Sequence, residues 1–386
     1  MAMGFTAFGG WSLLLPVIPL AVSEAGGSDA LAGAVTAVFM AATVATQLGT
    51  PRLLHTVGYR PVLAVGCLLL GAPALAFLLS TDAVPALVIS AIRGVGFGLL
   101  TVAGSALVAE LAPPRLLGRA TGAQGIAIAT GQMIGLPVGL ALFDGGNAHL
   151  TYLLGAAVPL LSVVAIAALP PVRHAGQAGP TVRLPVAVLL VPCLAMLVVA
   201  SVYGGVTSLL PIATSDRAAL AGLALAVVSG AILVGRYGGG LLLDRVGVGR
   251  IMVPALTTAA AGAGLFAVAV TVDGGAVAVV ALIAGAALFG VGFGAVQNEA
   301  LVGLFRSAGP TRLGAASAAW NIAYDAGTGA GALALGVVAG IAGYPGVFTV
   351  GAAIIAAVIP VALLRRVPPQ PVGATGPGPA ADRVDP

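Results

Sequence analysis

The chain contains about twelve runs of roughly 20 or more apolar residues, each long enough to cross the hydrocarbon core of a bilayer as a helix. A lipid environment permits only helices or closed barrels, and uninterrupted runs of this length favour helices. The sequence therefore predicts an all-α polytopic membrane protein with twelve transmembrane helices. The approximate limits of the runs are 3–22, 29–50, 61–80, 85–110, 118–143, 149–170, 184–212, 218–243, 250–272, 276–305, 313–340 and 344–364.

Composition excludes several other classes of protein. Only 7% of the residues are charged, against about a quarter in an ordinary soluble domain. A soluble enzyme, a disordered chain and a secreted disulfide scaffold are therefore excluded. The two cysteines, Cys67 and Cys193, lie in apolar runs and are expected to be buried thiols. The arginines are scattered rather than clustered, so nucleic-acid binding is not expected.

The arginines in the loops predict the topology. Cytoplasmic loops of membrane proteins carry an excess of basic residues. Alternate connections here carry arginine, while those between them carry mainly Asp or Glu, with Arg217 as their only arginine. The arginine-bearing side is predicted to be cytoplasmic, with both termini inside and the chain in the cell membrane. The arginines on that side are Arg52, Arg60, Arg115, Arg119, Arg173, Arg183, Arg245, Arg250, Arg306, Arg312, Arg365, Arg366 and Arg383.

The sequence also repeats itself. The segment 94–98 recurs at 290–294 as Gly-Val-Gly-Phe-Gly, an offset of 196 residues, and the segment 31–33 recurs at 220–222 as Leu-Ala-Gly, an offset of 189 residues. Six helices is an even number, so two such halves enter the membrane with the same orientation and place a substrate site between them. We expect a first six-helix bundle at 1–170, a cytoplasmic linker at 171–183, a second bundle at 184–366 and a disordered cytoplasmic tail at 367–386.

Four motifs carry a resemblance to a known family. After the eighth run, the segment 240–247 reads Gly-Leu-Leu-Leu-Asp-Arg-Val-Gly, and the loop after the second run is a degenerate copy in which Pro51 and His55 replace the glycine and the acid. The fourth run has Arg93 near a glycine-rich stretch, and the fifth run carries small residues around Pro137. This arrangement resembles the major facilitator superfamily, and the fifth-run motif is similar to that of its proton antiporters. The motif positions are Gly240, Asp244, Arg245, Gly247, Gly58 and Arg60 for the loops, and Gly131, Gly135, Pro137 and Gly139 for the fifth run.

The resemblance implies a transporter that works by alternating access. The loop motif would act as a gate, in which the carboxylate of Asp244 accepts hydrogen bonds from a helix N-terminus in one state. The glycines of the fifth run would act as a hinge, or would only permit close helix packing. The exporter-like motif implies efflux of a small amphipathic molecule in exchange for protons.

Charged residues inside the predicted helices are the strongest local signals, because a charge in the hydrocarbon costs at least roughly 2.5 to 3.5 kcal/mol. Asp325 is about 18 Å into the eleventh helix, close to the midplane, and is a candidate proton carrier or a paired structural acid. Arg93 is roughly 12 Å deep and could bind an anionic group, assist proton coupling, or clamp the backbone of helix 1 or 5. Glu299 is expected to pair with arginines near the cytoplasm, such as Arg236 or Arg245.

Several polar and aromatic side chains are candidates for the substrate cavity. Ser317 and Asn321 share a helical face with Asp325 and Thr328, and Tyr324 lies beside them. Polar residues in other predicted helices could line the same cavity or hold helices together. The candidate set is Asn321, Tyr324, Thr328, Asn298, Gln132, Tyr203 and Trp320.

No cofactor or metal is expected. The chain has no lysine, so a phosphate-binding loop of the G-x-x-x-x-G-K-[ST] type cannot exist, and the three histidines have no metal-ligand spacing. The expected partners are the bilayer, a small-molecule substrate and protons, and one chain holding both halves predicts a monomer. The alternatives are proton-coupled uptake of a nutrient, a membrane-embedded enzyme, for which no catalytic constellation is found, and a non-transporting receptor.

Overall fold

The computed structural model describes residues 2–111, 117–167, 186–272, 274–308 and 313–364, and within them the chain is helical almost throughout. The linker at 171–183 and the tail at 367–386 lie outside the described residues. Ten segments are long and apolar enough to cross a membrane, the last of them spans two crossings, and the shorter apolar helix Ala148–Val164 supplies another. The predicted twelve crossings are therefore present in the described part of the chain.

The helices follow the predicted runs closely. α1 comprises Ala2–Leu14 and Val17–Glu24, because Pro16 interrupts the first run. α11 and α12 are continuous in Leu313–Leu364 except at Gly343, where φ is +66° and the helix breaks. The remaining helices are α2 (Asp29–Val57), α3 (Tyr59–Gly71, continued by the 3-10 helix Ala72–Leu78), α4 (Ala83–Leu111), α5 (Leu117–Asp144), α6 (Ala148–Ala167), α7 (Val186–Ala213), α8 (Ala218–Val246), α9 (Met252–Thr271) and α10 (Gly275–Ala308).

The two ends of the bundle differ in charge. The connections after α1, α3, α5 and α7 carry Glu24, Asp29, Asp82, Asp144 and Asp216, and we call this side the acid end. The opposite side, where Arg52, Arg60, Arg245 and Arg250 lie, is the arginine end. Between the ends, large apolar side chains cover much of the exposed surface, which is typical of a surface in contact with lipid.

Close contacts at glycine pack the helices within each half. A Cβ atom on Gly94 or Gly98 of α4 would collide with the carbonyl oxygens of Phe39 and Thr43 in α2. The same collisions recur between α10 and α8 in the second half. Only glycine lets these backbones approach so closely. The corresponding pairs in the second half are Gly290 with Val228 and Gly294 with Ile232.

These contacts confirm the predicted duplication. The α4 and α10 glycines differ by the 196-residue offset, and their partners in α2 and α8 differ by the 189-residue offset. Gly58 and Gly247, which share the second offset, end α2 and α8 with φ of +82° and +85°. Both positions need the left-handed region, which glycine enters without steric cost. The repeat is therefore preserved in packing and in loop geometry as well as in sequence.

Glu299 of α10 binds the loop between α8 and α9, so the predicted pairing with Arg236 or Arg245 is wrong. Its Oε1 atom accepts a hydrogen bond from the backbone N–H of Gly249, and its side chain is buried. The loop turns through Gly247 and Gly249, both with positive φ, and this turn brings the N–H to α10. Arg236 instead lies over the ring of Trp320.

The glycine contacts can be tested by adding a single methyl group. Gly294→Ala should lower the free energy of unfolding by about 1–3 kcal/mol, because the new Cβ would overlap the backbone of α8. Gly264→Ala in α9 is the matched control, since no atom lies within 4 Å of its added Cβ. Thermal unfolding of the detergent-solubilised protein measures both, and equal effects of the two variants would contradict the packing account.

The Glu299 contact can be tested by proteolysis. Glu299→Ala removes a hydrogen bond to a charged group, worth about 1.5–3 kcal/mol, and should loosen the loop that ends at Arg250. Trypsin should then cleave after Arg250 faster than in the unmodified protein, while Glu24→Ala, at an exposed acid of the opposite end, should not change the rate. Unchanged cleavage in Glu299→Ala would show that the loop is held by other contacts.

Candidate functional site

The two halves meet mainly along α2 and α11 and along α5 and α8. Near the acid end, a Cβ on Gly33 would collide with Ala332, and one on Gly336 with the backbone of Asp29. Side-chain hydrogen bonds also cross between the halves here. Tyr344 donates to Asp29 at 3.1 Å, and the hydroxyls of Thr36 and Ser208 lie 3.0 Å apart. The halves are thus closely packed from the acid end toward mid-depth.

Asp325 lies at this interface, at mid-depth. Its side chain is only 4% exposed, and its Oδ2 atom accepts a hydrogen bond of 2.6 Å from Nε2 of Gln47 in α2. The same Nε2 donates to the hydroxyl of Thr101 in α4 at 3.0 Å. The Gln47 side chain therefore connects Asp325 of the second half to α2 and α4 of the first half.

Gln47 was missed by the sequence reasoning, although a signal for it exists. It is the only amide in the apolar run 29–50, and three threonines share its helical face at spacings of seven, four and three residues. All four side chains are buried in the structure. A polar face on α2 could thus have been paired with the one on α11. The four residues are Thr36, Thr43, Gln47 and Thr50.

Two other members of the predicted α11 polar face bind their own helix. Nδ2 of Asn321 donates to the carbonyl oxygen of Ser317 at 2.9 Å. The hydroxyl of Thr328 donates to the carbonyl oxygen of Tyr324 at 2.9 Å, and its side chain is fully buried. Asp325 is therefore the member of this face that reaches across to the first half.

An aromatic cluster lies beside Asp325 within the second half. The ring of Tyr324 stacks on that of Phe293 at 5.8 Å and on that of Trp320 at 5.9 Å, and Tyr203 of α7 contacts the same group. Trp320 donates its indole N–H to the carbonyl oxygen of Gln297 at 3.0 Å. Three of the predicted cavity residues, Tyr203, Trp320 and Tyr324, are thus brought together.

Arg93 lies at a second position, inside the first half. Its Nε donates to the carbonyl oxygen of Leu70 in α3 at 3.1 Å, so it contacts the backbone of helix 3 rather than that of helix 1 or 5. Its guanidinium carbon lies 5.8 Å from the ring centroid of Phe39 and 5.9 Å from that of Phe77. The side chain borders a cavity between α1, α2 and α4. Within the described residues, no ion pair joins it to Asp325.

The remaining predicted residues lie elsewhere. The α5 glycines face the backbone of α1, and Pro137 lies next to Gly222 of α8. Gln132 and Asn298 are half-buried, and Gly240 lies next to Asn298. At the arginine end, Arg245 is exposed and Arg60 is half-buried, while the side chain of Asp244 lies outside the described residues. The α5 glycines are Gly131, Gly135 and Gly139.

Among the described residues, no group of three or more His, Cys, Asp or Glu side chains could hold a metal ion. The arrangement instead offers one buried acid at the interface between the halves and one buried cation in the first half.

The fold is similar to that of solved transporters. A variant of the nucleoside transporter NupG superposes with a TM-score of 0.76 at 14% identity, over 94% of this chain and 98% of that one. A D-xylose-proton symporter superposes with a TM-score of 0.75 at 16% identity, over 95% of this chain and 96% of that one. No curated protein matches the sequence.

The sequence matches the Major Facilitator Superfamily over residues 1–327. This match covers most of the chain, and it agrees with the twelve crossings, the duplicated halves and the solved transporters of the same fold. The protein is accordingly a transporter rather than an enzyme. We conclude that the chain belongs to the Major Facilitator Superfamily.

Proposed function

We propose that the protein is a proton-coupled secondary transporter of a small molecule, in which Asp325 carries the proton. The observation that carries this proposal is the hydrogen bond from Gln47 to Asp325 across the interface between the halves. An acid at this position is enclosed when the halves close around it and meets water when they separate. Proton exchange at Asp325 is thereby tied to the movement of the halves.

The surroundings of Asp325 support this role. Among the described residues, no cation forms an ion pair with it, so its charge is offset by a neutral amide alone. An unpaired carboxylate buried at membrane depth is costly, and the protonated acid avoids that cost. Gln47 accommodates either form, because its amide has both a donor and an acceptor and its Oε1 has no partner in the described structure.

Symport is the direction of coupling that we propose. Gln47 donates hydrogen bonds to both Asp325 and Thr101. Thr101 is eight residues after Arg93 on α4, which is about 12 Å along the helix. The proton site is therefore separate from this cation, and a proton at Asp325 and a substrate between the halves can be bound together. The efflux suggested by the α5 motif has less support, since its three glycines pack against α1 within one half. The solved D-xylose-proton symporter of the same fold is also consistent with uptake.

We further propose the domain limits and topology set out from the sequence. The halves at 1–170 and 184–366 would rock about the contacts of α2 with α11 and of α5 with α8. The arginine end would face the cytoplasm, in the cell membrane, with both termini inside. A single chain contains both halves, so a monomer would suffice for transport. Asp244 and Arg245 would gate the arginine end.

Transport by purified protein in liposomes tests the coupling. A thermal-stabilisation screen of nucleosides, sugars, amino acids and organic acids first identifies a ligand. With the outside more acidic by one pH unit, one-to-one symport should accumulate that ligand about tenfold. Asp325→Asn should abolish this accumulation and keep exchange of labelled for unlabelled ligand. Asp144→Asn, at an exposed acid, is the matched control and should accumulate normally.

Two outcomes would contradict the proposal. Full gradient-driven accumulation by Asp325→Asn would remove Asp325 from the coupling. Accumulation only when the lumen is the more acidic side would show antiport and would support the exporter reading of the α5 motif.

A further inference from the structure

We infer that Arg236 binds the carboxylate of an organic acid with an aromatic body, in an opening between the halves. This inference rests on the proposed function, because it names the class of substrate that is carried with the proton. The side chains that form the site lie on α8, α10 and α11 of the second half. They are Arg236, Asn298, Trp320 and Tyr324.

The opening begins beside Asp325 and widens toward the arginine end. The hydrogen bonds described between the halves run from the acid end to that of Gln47 with Asp325 at mid-depth. One turn further toward the arginine end on the same face of α11, Asn321 is half-buried, whereas Asp325 is buried. On α4, Thr101 binds Gln47 and is half-buried, and Ser105, one turn further, is exposed. Both halves thus present accessible polar side chains on this side of Asp325.

Arg236 lies at this depth and points into the second half. It is ten residues before the end of α8 at Val246, which is about 15 Å along the helix and about half the thickness of the hydrocarbon core. Its guanidinium carbon lies 5.9 Å from the ring centroid of Trp320 in α11. Val234 and Tyr237 are exposed and mark the lipid-facing side of α8. Since the Arg236 side chain is half-buried, it combines membrane depth with access to the opening.

The charge of Arg236 has no counter-ion in the described part of the chain. No described carboxylate lies within 4 Å of it, and the ring of Trp320 stabilises the guanidinium without carrying a net charge. Water can hydrate Arg236 while the halves are apart. When they close around the site that water is excluded, and an unpaired cation at membrane depth is costly. A bound anion offsets this cost in a way that a neutral ligand cannot.

The neighbouring side chains fit a carboxylate on an aromatic body. A Cβ on Gly240, one turn after Arg236, would lie 3.3 Å from Nδ2 of Asn298, so this amide is one turn from the cation. The amide can donate to the same carboxylate, whose two oxygens match the guanidinium fork. Trp320 and Tyr324 are half-buried, with ring centroids 5.9 Å apart. Their accessible surface can contact a ligand ring face-on or edge-on.

This substrate class agrees with symport. One monocarboxylate at Arg236 and one proton at Asp325 together add no net charge to the protein. The substrate and the proton would thus cross together as an electrically neutral pair.

Benzoate is the probe, and Trp320 is its reporter. The chain has two tryptophans, so Trp11→Phe leaves only the one in the proposed site. Benzoate should change the emission of Trp320 saturably in the purified full-length protein, and should raise the thermal unfolding temperature with the same concentration dependence. Benzamide, its uncharged analogue of the same shape, and inorganic phosphate, which lacks the aromatic body, should do neither.

The variants locate the carboxylate. Arg236→Gln should weaken benzoate binding at least about tenfold, because it removes hydrogen bonds to a charged group. Arg236→Lys should retain part of the affinity. Arg217→Gln, at an arginine paired with Asp216 just before α8, is the matched control and should retain all of it. If Arg236→Gln does not fold, the comparison of benzoate with benzamide decides the question.

A second comparison tests the aromatic contact. Cyclohexanecarboxylate has the charge of benzoate without its aromatic ring, and should bind more weakly than benzoate. Trp320→Leu should remove this difference, as measured by thermal unfolding, because it removes the aromatic surface beside Arg236. Equal binding of the two acids to the unmodified protein would overturn the assignment of an aromatic body.

Equal responses to benzoate and benzamide, no saturable response to benzoate, or unchanged affinity in Arg236→Gln would each overturn the inference. Its failure is distinguishable from failure of the proposed function. If an uncharged ligand is accumulated through Asp325 while benzoate does not bind, the coupling stands and the substrate class is wrong. If benzoate binds through Arg236 while Asp325→Asn keeps full gradient-driven accumulation, the site stands and the coupling is wrong.

Discussion

Backbone contact at glycine is the constraint on which the architecture depends. Lipid gives no hydrophobic driving force for one apolar helix to bind another, so helices in a bilayer associate through close packing and polar contacts. Within each half, Gly94 and Gly98, with their counterparts Gly290 and Gly294, let helices approach until backbone meets backbone. These contacts hold the helices of each half against one another, which is consistent with the proposed movement of each half as a unit.

The interface between the halves combines glycine contacts, as at Gly33, with hydrogen bonds whose donors and acceptors can bond to water if the halves separate. The bond between Gln47 and Asp325 is the deepest of those described and involves an ionisable group. Asp325 thus lies where the proposed movement of the halves would change its surroundings.

The fold was largely predictable because length and hydropathy decide it. A run at 85–110 became a helix at Ala83–Leu111, and the repeat offsets of 189 and 196 correctly paired glycines that occupy equivalent contacts. The break at Pro16 in α1 was not predicted, since one proline does not lower the hydropathy of a run.

The partners of side chains were not predictable in the same way. The depth of Asp325 follows from its position in the sequence, but its contact with Gln47 depends on the rotation of two helices from different halves. One of the roles considered for Arg93 was a clamp on the backbone of helix 1 or 5, but its hydrogen bond is to Leu70 in helix 3. Glu299 accepts a hydrogen bond from the backbone N–H of Gly249. The positions of charged residues in the sequence do not predict a backbone partner of this kind.

The most direct test of the central claim measures the distance between the halves as a function of pH. Spin labels at Leu79 and Val277, both exposed at the acid end, report on opposite halves once Cys67 and Cys193 are replaced. If Asp325 links proton binding to the movement, two distance populations should exchange weight with pH in the otherwise unmodified protein, and Asp325→Asn should remove that response. An identical pH response in Asp325→Asn would contradict the account.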